Sequence, residues 1–208
     1  SINIMPMAGL GSRFDREGYK IPKPLIEVSK TPMFIQALKD LPKSESDYFI
    51  VRKQMPNFEL LKDEIKKTIK NYSLLTIDKP TDGQARTVSL CVNQIKSKKK
   101  YSKEIITIGT CDSGVIYDHE KFNDIINNDN FDVIVWGIKN YPNAIKNPNM
   151  YGWINQSNGI IKSVSVKKPL EAQRSSPIIL GIFTFKNLAI LDACLNSLFD
   201  NNDMINNE

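Results

Sequence analysis

Strand-like and helix-like segments alternate along almost the whole chain, and this alternation limits the fold more than any other feature. Apolar runs of strand character occur at residues 2–5, 47–51, 73–77, 105–110 and 132–138. Segments with apolar side chains at helical spacing separate them, at residues 32–40, 58–70, 84–95 and 119–128. Repeated β–α units favour a parallel sheet covered by helices on both faces. The run at 132–138 is typical of a strand buried on both faces.

The pattern changes after residue 140. Residues 142–149 predict a polar loop, and two short apolar runs at 153–155 and 160–166 predict a hairpin around an Asn158-Gly159 turn. A strand at 178–185 and a helix at 188–199 follow. We therefore expect an α/β fold, a three-layer α/β/α sandwich with a Rossmann-like, mostly parallel mixed sheet and a late antiparallel hairpin insertion. One domain over residues 1–208 is expected, since no composition shift marks a boundary.

The net charge of +5 does not predict a nucleic-acid partner, because much of the excess is local. It lies in a lysine-rich segment at residues 96–103, which is typical of a solvated loop and has a single aromatic residue, Tyr101. No apolar run approaches the roughly 20 residues that span a bilayer, so no membrane partner is expected. Three widely spaced cysteines without a C-x-x-C pair predict reduced thiols in a cytoplasmic protein.

The first strand-like run leads directly into a glycine loop, Gly9-Leu10-Gly11, followed by Ser12 and Arg13. Glycines let backbone amides approach an anion closely, and such concave groups of amides bind phosphate. Lys23 follows in a rigid segment between two prolines, expected to be extended, and would bring a second cation. The string lacks the lysine of a P-loop and the third glycine of a dinucleotide fold. It predicts a phosphate site at the end of the first strand.

Three other loops carry polar or cationic residues directly after predicted strands. Asp82-Gly83-Gln84 follows the strand at 73–77, Asp112 follows the strand at 105–110, and Lys168 follows the second hairpin strand. Ligands of open α/β sheets bind beyond the carboxyl ends of the strands. We therefore expect these loops and the glycine loop to converge on one cleft.

Residues 8–13 together with residues 22–25 resemble the signature of the sugar-phosphate nucleotidyltransferases, the nucleotide-sugar pyrophosphorylases, which include bacterial phosphocholine cytidylyltransferases. The resemblance covers most of the chain. Residues 81–87 are similar to the family's base-reading loop, Lys167-Lys168-Pro169 to its Glu-Lys-Pro element, and residues 180–185 to its Gly-aromatic-x-Phe strand. Met5-Pro6-Met7 replaces the more usual Leu-Ala, a departure associated with members that act in surface-polysaccharide pathways.

The resemblance implies an enzyme that joins an NTP to a phosphorylated small molecule and releases pyrophosphate, with Mg²⁺ as cofactor. Asp112 is the implied metal ligand, and Arg13 and Lys23 are the implied catalytic cations. The implied nucleotide-binding residues are Met7, Ala8, Gly9, Leu10, Gly11, Ser12, Asp82, Gly83 and Gln84. The implied acceptor-binding residues are Tyr151, Gly152 and Lys168. A homo-oligomer is compatible with the resemblance, which leaves the oligomeric state open.

Several alternatives stay open. CTP is slightly favoured on the choline-type resemblance, beside UTP and dTTP, and the acceptor is a sugar phosphate or another small phosphorylated molecule. A regulatory or inactive nucleotide-binding homologue and a GT-A-like glycosyltransferase are the competing functions; Asp112-Ser113-Gly114 lacks the second acid of an Asp-x-Asp motif. The family's second metal aspartate follows the last strand and helix, where this chain offers Asp200 and Asp203. We therefore expect a chain truncated at its C-terminus, or the front part of a longer protein.

Overall fold

The computed structural model describes residues 1–98, 103–128, 130–170 and 176–202. Its strands are β1 (Ile2–Met7), β2 (Glu27–Val28), β3 (Thr31–Pro32), β4 (Ser46–Arg52), β5 (Tyr72–Ile77), β6 (Ile106–Ile108), β7 (Val133–Ile138), β8 (Gly152–Ser157), β9 (Ile160–Val166) and β10 (Ile178–Phe185). Its α-helices are α1 (Ser12–Arg16), α2 (Met33–Asp40), α3 (Phe58–Thr68), α4 (Gln84–Ser97), α5 (His119–Asn127), α6 (Pro142–Lys146) and α7 (Leu188–Asp200). Lys23–Leu25 and Pro148–Met150 form 3₁₀ turns. The chain divides into two compact units, residues 1–133 with 184–208, and residues 134–183.

The first unit contains a parallel sheet in the order β5-β4-β1-β6. The central strand β1 pairs with β4 on one side, where Met7 lies opposite Val51, and with β6 on the other, where Ile4 lies opposite Ile108. All four strands run in the same direction, so their carboxyl ends lie along one edge of the sheet. The loops that follow these strands therefore start from the same edge.

Helices cover both faces of this sheet. The ring of Phe34 on α2 meets the ring of Phe49 on β4 edge-on, with centroids 6.0 Å apart. Lys98, which directly follows α4, places its ammonium 5.4 Å from the ring centroid of Tyr48, the residue before Phe49 in β4. Successive residues of a strand point to opposite faces, so α2 and α4 lie on opposite sides. The predicted α/β class with a mostly parallel sheet between helices is confirmed.

Helical spacing of apolar side chains and a capping residue account for two of the helices. In α3, Leu61 and Ile65 are buried four residues apart. The side chain of Asp118 accepts a hydrogen bond from the backbone of Lys121 and so caps α5. Within the part of the chain that the structure describes, no helix combines the length and the apolar character that crossing a membrane requires.

The second unit is built around an antiparallel hairpin of β8 and β9, as predicted. Its turn residues, Asn158 and Gly159, have φ angles of 53° and 80°. Positive φ at both central positions is what a two-residue hairpin turn needs, and Asn-Gly supplies it at low cost. Trp153 on β8 is buried against Ala144 and Ile178, and its indole nitrogen donates a hydrogen bond to Pro148 O at 2.9 Å.

Two local predictions about this part of the chain are wrong. Residues 142–149, predicted as a polar loop, contain α6 and most of a 3₁₀ turn, because Pro142 and Pro148 each occupy the first helical position, where the fixed φ of proline is favourable. The strand β7 is present, but it is not buried on both faces. Gly137 and Ile138 at its end are exposed.

We expect Phe49→Ala to lower the free energy of unfolding by about 3–5 kcal/mol, because the ring is fully buried and its removal leaves a cavity against Phe34. Leu60→Ala on the exposed side of α3 removes an apolar side chain without a cavity and should change that free energy by less than about 0.5 kcal/mol. Urea unfolding followed by circular dichroism measures both, and equal losses in the two variants would contradict the described core.

Candidate active site

A cleft of about 610 Å³ lies at the carboxyl edge of the parallel sheet in the first unit. Most of the nucleotide, metal and catalytic residues predicted from the sequence line it: Met7, Ala8, Gly9, Leu10, Gly11, Ser12, Lys23, Gly83, Gln84 and Asp112. The glycine loop and the loops after β5 and β6 therefore line one cleft in the structure. Asp82 is exposed and is not part of the cleft lining.

The glycine loop leaves β1 and turns directly into α1. Ala8 is buried, Leu10 is 59% exposed, and the amide of Phe14 donates to Gly11 O at 2.9 Å, which begins the helix. Gly11 has a φ of 67°, a conformation that a residue with a Cβ rarely adopts. Its position also brings the loop against Lys23, since a Cβ at Gly11 would lie 3.6 Å from the Cβ of Lys23.

Lys23 and Asp112 form an ion pair on the wall of the cleft. The Lys23 Nζ lies 2.5 Å from Asp112 Oδ2, and the two side chains are 25% and 36% exposed. The same ammonium lies 5.6 Å from the ring centroid of Phe14. Lys23 opens a 3₁₀ turn rather than continuing an extended segment as predicted, because the prolines on either side fix φ angles compatible with a tight turn. An ammonium has three donors, so this contact leaves Lys23 able to bind an anion as well.

Arg52 is a cation of the cleft that the sequence analysis did not select. It is the last residue of β4 and donates a hydrogen bond from Nε to Ala8 O at 3.0 Å, which ties the end of β4 to the start of the glycine loop. The available signal was its position, because it directly follows an apolar strand of a parallel sheet and so belongs to the ligand-binding edge.

Two threonines hold the loop that precedes α4. The hydroxyl groups of Thr81 and Thr87 are hydrogen-bonded to each other. The Thr81 hydroxyl also donates to Gly83 O at 3.1 Å, and the Thr87 hydroxyl lies 3.3 Å from the same oxygen. Gly83 has a φ of 90° and precedes Gln84, which begins the helix with an exposed side chain. These contacts fix the backbone that presents Gln84 to the cleft.

Cys111 lies beside Asp112 and is inert as a nucleophile. Burial raises the pKa of its thiol to about 11, and Lys23 offsets part of that effect. A thiol with such a pKa is protonated near neutral pH, and the thiolate is the reactive form. The side chain packs at the base of the cleft.

The predicted acceptor-binding residues belong to the second unit, where the hairpin brings them together. Gly152 pairs with Val166 across the hairpin, and the amide of Lys167 donates to Tyr151 O at 3.0 Å. Lys168 follows with an exposed side chain. The ring of Tyr151 packs edge-on against Tyr141, with centroids 5.8 Å apart, so this aromatic residue also has a packing role.

Two predictions lie wholly or partly outside the described residues. The backbone of Arg13 belongs to α1, but its side chain is not among the described groups. Asp203 is beyond the described residues, and Asp200 ends α7 without lining the cleft. Among the described residues, no group of three or more histidine, cysteine or acidic side chains could hold a metal ion.

A family model described as "Nucleotidyl transferase" matches residues 3–207 of this sequence. The chain belongs to this family. The resemblance noted in the opening motifs is thus confirmed, and the protein is a nucleotidyltransferase. A search of curated protein sequences found no match.

Solved structures of low sequence identity share the nucleotidyltransferase fold. A nucleoside-diphosphate-sugar pyrophosphorylase from Vibrio cholerae RC9 is 18% identical, with a TM-score of 0.72 over 98% of this chain and 79% of that one. A Bacillus anthracis protein named as a glucose-1-phosphate thymidylyltransferase is also 18% identical, with a TM-score of 0.71 over 92% and 73%. The inositol-1-phosphate CTP transferase from T. maritima is 13% identical, with a TM-score of 0.66 over 89% and 70%.

We expect the two loop glycines to respond differently to alanine. Gly11→Ala should lower the free energy of unfolding by about 1 kcal/mol, because its positive φ opposes a Cβ. Gly9→Ala should leave stability unchanged, since its Cβ would meet nothing within 4 Å, yet weaken NTP binding by placing a methyl group in the cleft. Thermal unfolding and calorimetric titration measure the two effects, and unchanged NTP affinity in Gly9→Ala would contradict the expectation that an NTP binds at the glycine loop.

We also expect the thiols to react unequally. Burial raises the pKa of Cys91 to about 12 and that of Cys111 to about 11. The pKa of Cys194 is also raised, by partial burial and by Asp132, but its side chain is exposed. Ellman's reagent at about pH 8 should therefore titrate Cys194 alone in the folded protein and all three thiols in denaturant. Rapid reaction of a second thiol in the folded protein would contradict the burial.

The two buried thiols should also make stability depend on pH. The unfolded chain loses the protons of Cys91 and Cys111 at a lower pH than the folded protein does, so above about pH 9 the free energy of unfolding should fall by roughly 1 kcal/mol per buried thiol and pH unit.

Proposed function

We propose that this nucleotidyltransferase transfers a nucleotidyl group from an NTP to a sugar phosphate or another small phosphorylated acceptor and releases pyrophosphate. The observation that carries the proposal is the ion pair of Lys23 and Asp112, which lies beside a glycine loop in a cleft at the carboxyl edge of the sheet. Those groups meet the needs of a bound triphosphate: backbone amides, a cation and a hard oxygen ligand. The named structural relatives include enzymes for nucleotide sugars and for inositol 1-phosphate.

The reaction needs positioning and charge neutralisation more than covalent help from the protein. An oxygen of the acceptor phosphate attacks the α-phosphorus, and the bond from that phosphorus to the bridging oxygen of the β-phosphate breaks. The backbone of residues 9–12 would cradle the triphosphate. Lys23 would neutralise charge that develops at the α-phosphate, and Arg13 charge on the departing pyrophosphate.

The residues of the cleft fit Mg²⁺ as cofactor. Asp112 supplies a partly exposed carboxylate, the hard oxygen ligand that Mg²⁺ prefers. Mg²⁺ is commonly held by one or two carboxylates together with substrate phosphates, which suits a site with few acidic groups. Bound there, Mg²⁺ would neutralise phosphate charge and polarise the phosphoryl oxygens. Asp112 would hold the ion at the same wall of the cleft as Lys23.

The acceptor is assigned to the hairpin unit. Lys168 would bind the acceptor phosphate, and Tyr151 and Gly152 would border its remaining part, since these residues share one end of the hairpin. CTP is favoured over UTP and dTTP by the resemblance to the choline-type branch. Synthesis of surface-polysaccharide precursors, in the cytoplasm, is part of the same proposal and follows from the Met5-Pro6-Met7 variant of the opening motif.

Pyrophosphate release with Mg²⁺, measured for five NTPs against a panel of sugar phosphates and phosphorylated amino alcohols, tests the proposal. One NTP–acceptor pair should turn over, and EDTA should abolish turnover. Lys23→Ala and Asp112→Ala should each lower kcat by about 100-fold or more, because Lys23 would neutralise developing charge and Asp112 would hold Mg²⁺. Lys39→Ala on α2 and Asp63→Ala on α3 remove the same charges from exposed positions and should be neutral.

The outcomes separate the competing functions. NTP binding without turnover across the panel would favour a regulatory homologue, and hydrolysis or transfer from an NDP-sugar would favour a glycosyltransferase. Absence of NTP binding would overturn the proposal. Full activity in Asp112→Ala would remove the metal assignment alone.

A further inference from the structure

We propose that Arg52 reads the nucleobase and that its guanidinium selects bases with two adjacent acceptors, cytosine or guanine. This inference rests on the proposed function, because it assumes that an NTP occupies the cleft. Arg52 lines that cleft beside the glycine loop and the loop of Gly83 and Gln84. None of the roles derived above uses its charge.

The topology places Arg52 toward the base end of a bound nucleotide. The strand that it ends, β4, lies between β1 and β5 in the sheet. The glycine loop follows β1, and the loop that would read the base follows β5. A nucleotide whose phosphates lie on residues 9–12 and whose base reaches Gln84 must cross the end of β4. The contact to Ala8, the residue before Gly9, also puts Arg52 at the opposite end of the loop from Lys23, whose Cβ would lie 3.6 Å from a Cβ at Gly11.

The guanidinium is fixed in place and retains donors. Its Nε donates a hydrogen bond to Ala8 O at 3.0 Å, which restrains the plane of the guanidinium. Its two terminal nitrogens donate to no atom of the described residues, and it forms no ion pair with a carboxylate of the described part of the chain. A half-buried cation of this kind offers an end-on pair of N–H donors to a ligand in the cleft.

The guanidinium of Arg52 has donors and no acceptor, so it fits a base edge that presents two adjacent acceptors. Cytosine presents O2 and N3 as adjacent acceptors, and guanine presents O6 and N7, so either accepts both N–H groups. Uracil and thymine place an N3–H donor beside each acceptor, and adenine has an amino donor beside N1 and N7. Gln84 adapts to either case, since its amide both donates and accepts. The preference therefore comes from Arg52, not from Gln84.

A structural role would look different. If Arg52 only held the glycine loop through Ala8, its loss would weaken all NTPs alike and lower stability. If it bound phosphate, its loss would weaken all NTPs and inorganic tripolyphosphate alike. Arg52→Lys separates these cases, because it keeps the charge and removes the fork.

The experiment is calorimetric titration of CTP, GTP, UTP, dTTP, ATP and tripolyphosphate, with Mg²⁺, into the full chain and three variants. The unchanged protein should bind CTP or GTP about tenfold or more tighter than the other three nucleotides, the discrimination expected of a two-donor contact. Arg52→Lys should lose that preference while tripolyphosphate affinity stays within about threefold. Arg52→Met should lose it as well. Lys53→Met removes one positive charge from the adjacent exposed position and should change neither quantity. Melting temperatures show whether each variant is folded.

Three results would overturn the inference and leave the proposed function standing. They are equal affinity of the unchanged protein for all five NTPs, tighter binding of UTP, dTTP or ATP, and a preference for CTP or GTP that survives in folded Arg52→Lys. A parallel loss of affinity for all NTPs and tripolyphosphate at an unchanged melting temperature would reassign Arg52 to the phosphates, and the same loss with a lowered melting temperature would reassign it to holding the glycine loop. Failure of the unchanged protein to bind any NTP would instead overturn the proposed function, and this inference with it.

Discussion

The parallel pairing of β1 on both of its edges is the constraint on which the cleft depends. Because β4 and β6 run alongside β1 in the same direction, the three strands end together, and β5 continues the edge beyond β4. Residues far apart in the sequence then meet: the glycine loop follows β1, Arg52 ends β4, and Asp112 follows β6. Consecutive residues of β1 and β4, such as Ile4 with Met5 and Phe49 with Ile50, are fully buried, so both faces of the sheet are covered where these strands pair.

At the carboxyl edge of the sheet, short contacts between loops position the side chains of the cleft. Lys23 reaches Asp112 across the cleft wall, and Arg52 holds the carbonyl that begins the glycine loop. Each contact joins two segments that are distant in the sequence, so the loops do not depend on their own sequence alone for their conformation. The second unit contributes a separate group of residues, in which the hairpin places Tyr151 beside Lys167. In the proposed function, the residues of the first unit bind the nucleotide and those of the second unit bind the acceptor.

Much of the fold could be predicted because its signals are local. The apolar runs located every long strand, and Asn158-Gly159 predicted the hairpin turn that its positive φ angles produce. The errors arose where the local sequence is compatible with more than one structure and the surrounding fold selects between them. A proline such as Pro142 or Pro148 is as typical of a loop as of the first position of a helix. The glycine loop was identified from its composition. Arg52 was not, although it directly follows an apolar run, because strand order is needed to show that β4 lies between β1 and β5, the strands that lead to the glycine loop and to Gln84. The contact between Lys23 and Asp112 joins residues whose proximity no spacing reveals.

A crystal structure of the protein grown with Mg²⁺ and a non-hydrolysable CTP analogue tests the central claim most directly. The account predicts the triphosphate on the backbone of residues 9–12 with Lys23 at the α-phosphate, and the base between Arg52 and Gln84. The metal should contact Asp112 and phosphate oxygens. A nucleotide bound outside this cleft, or one whose base lies at Asp112 and whose phosphates lie at Gln84, would contradict the account.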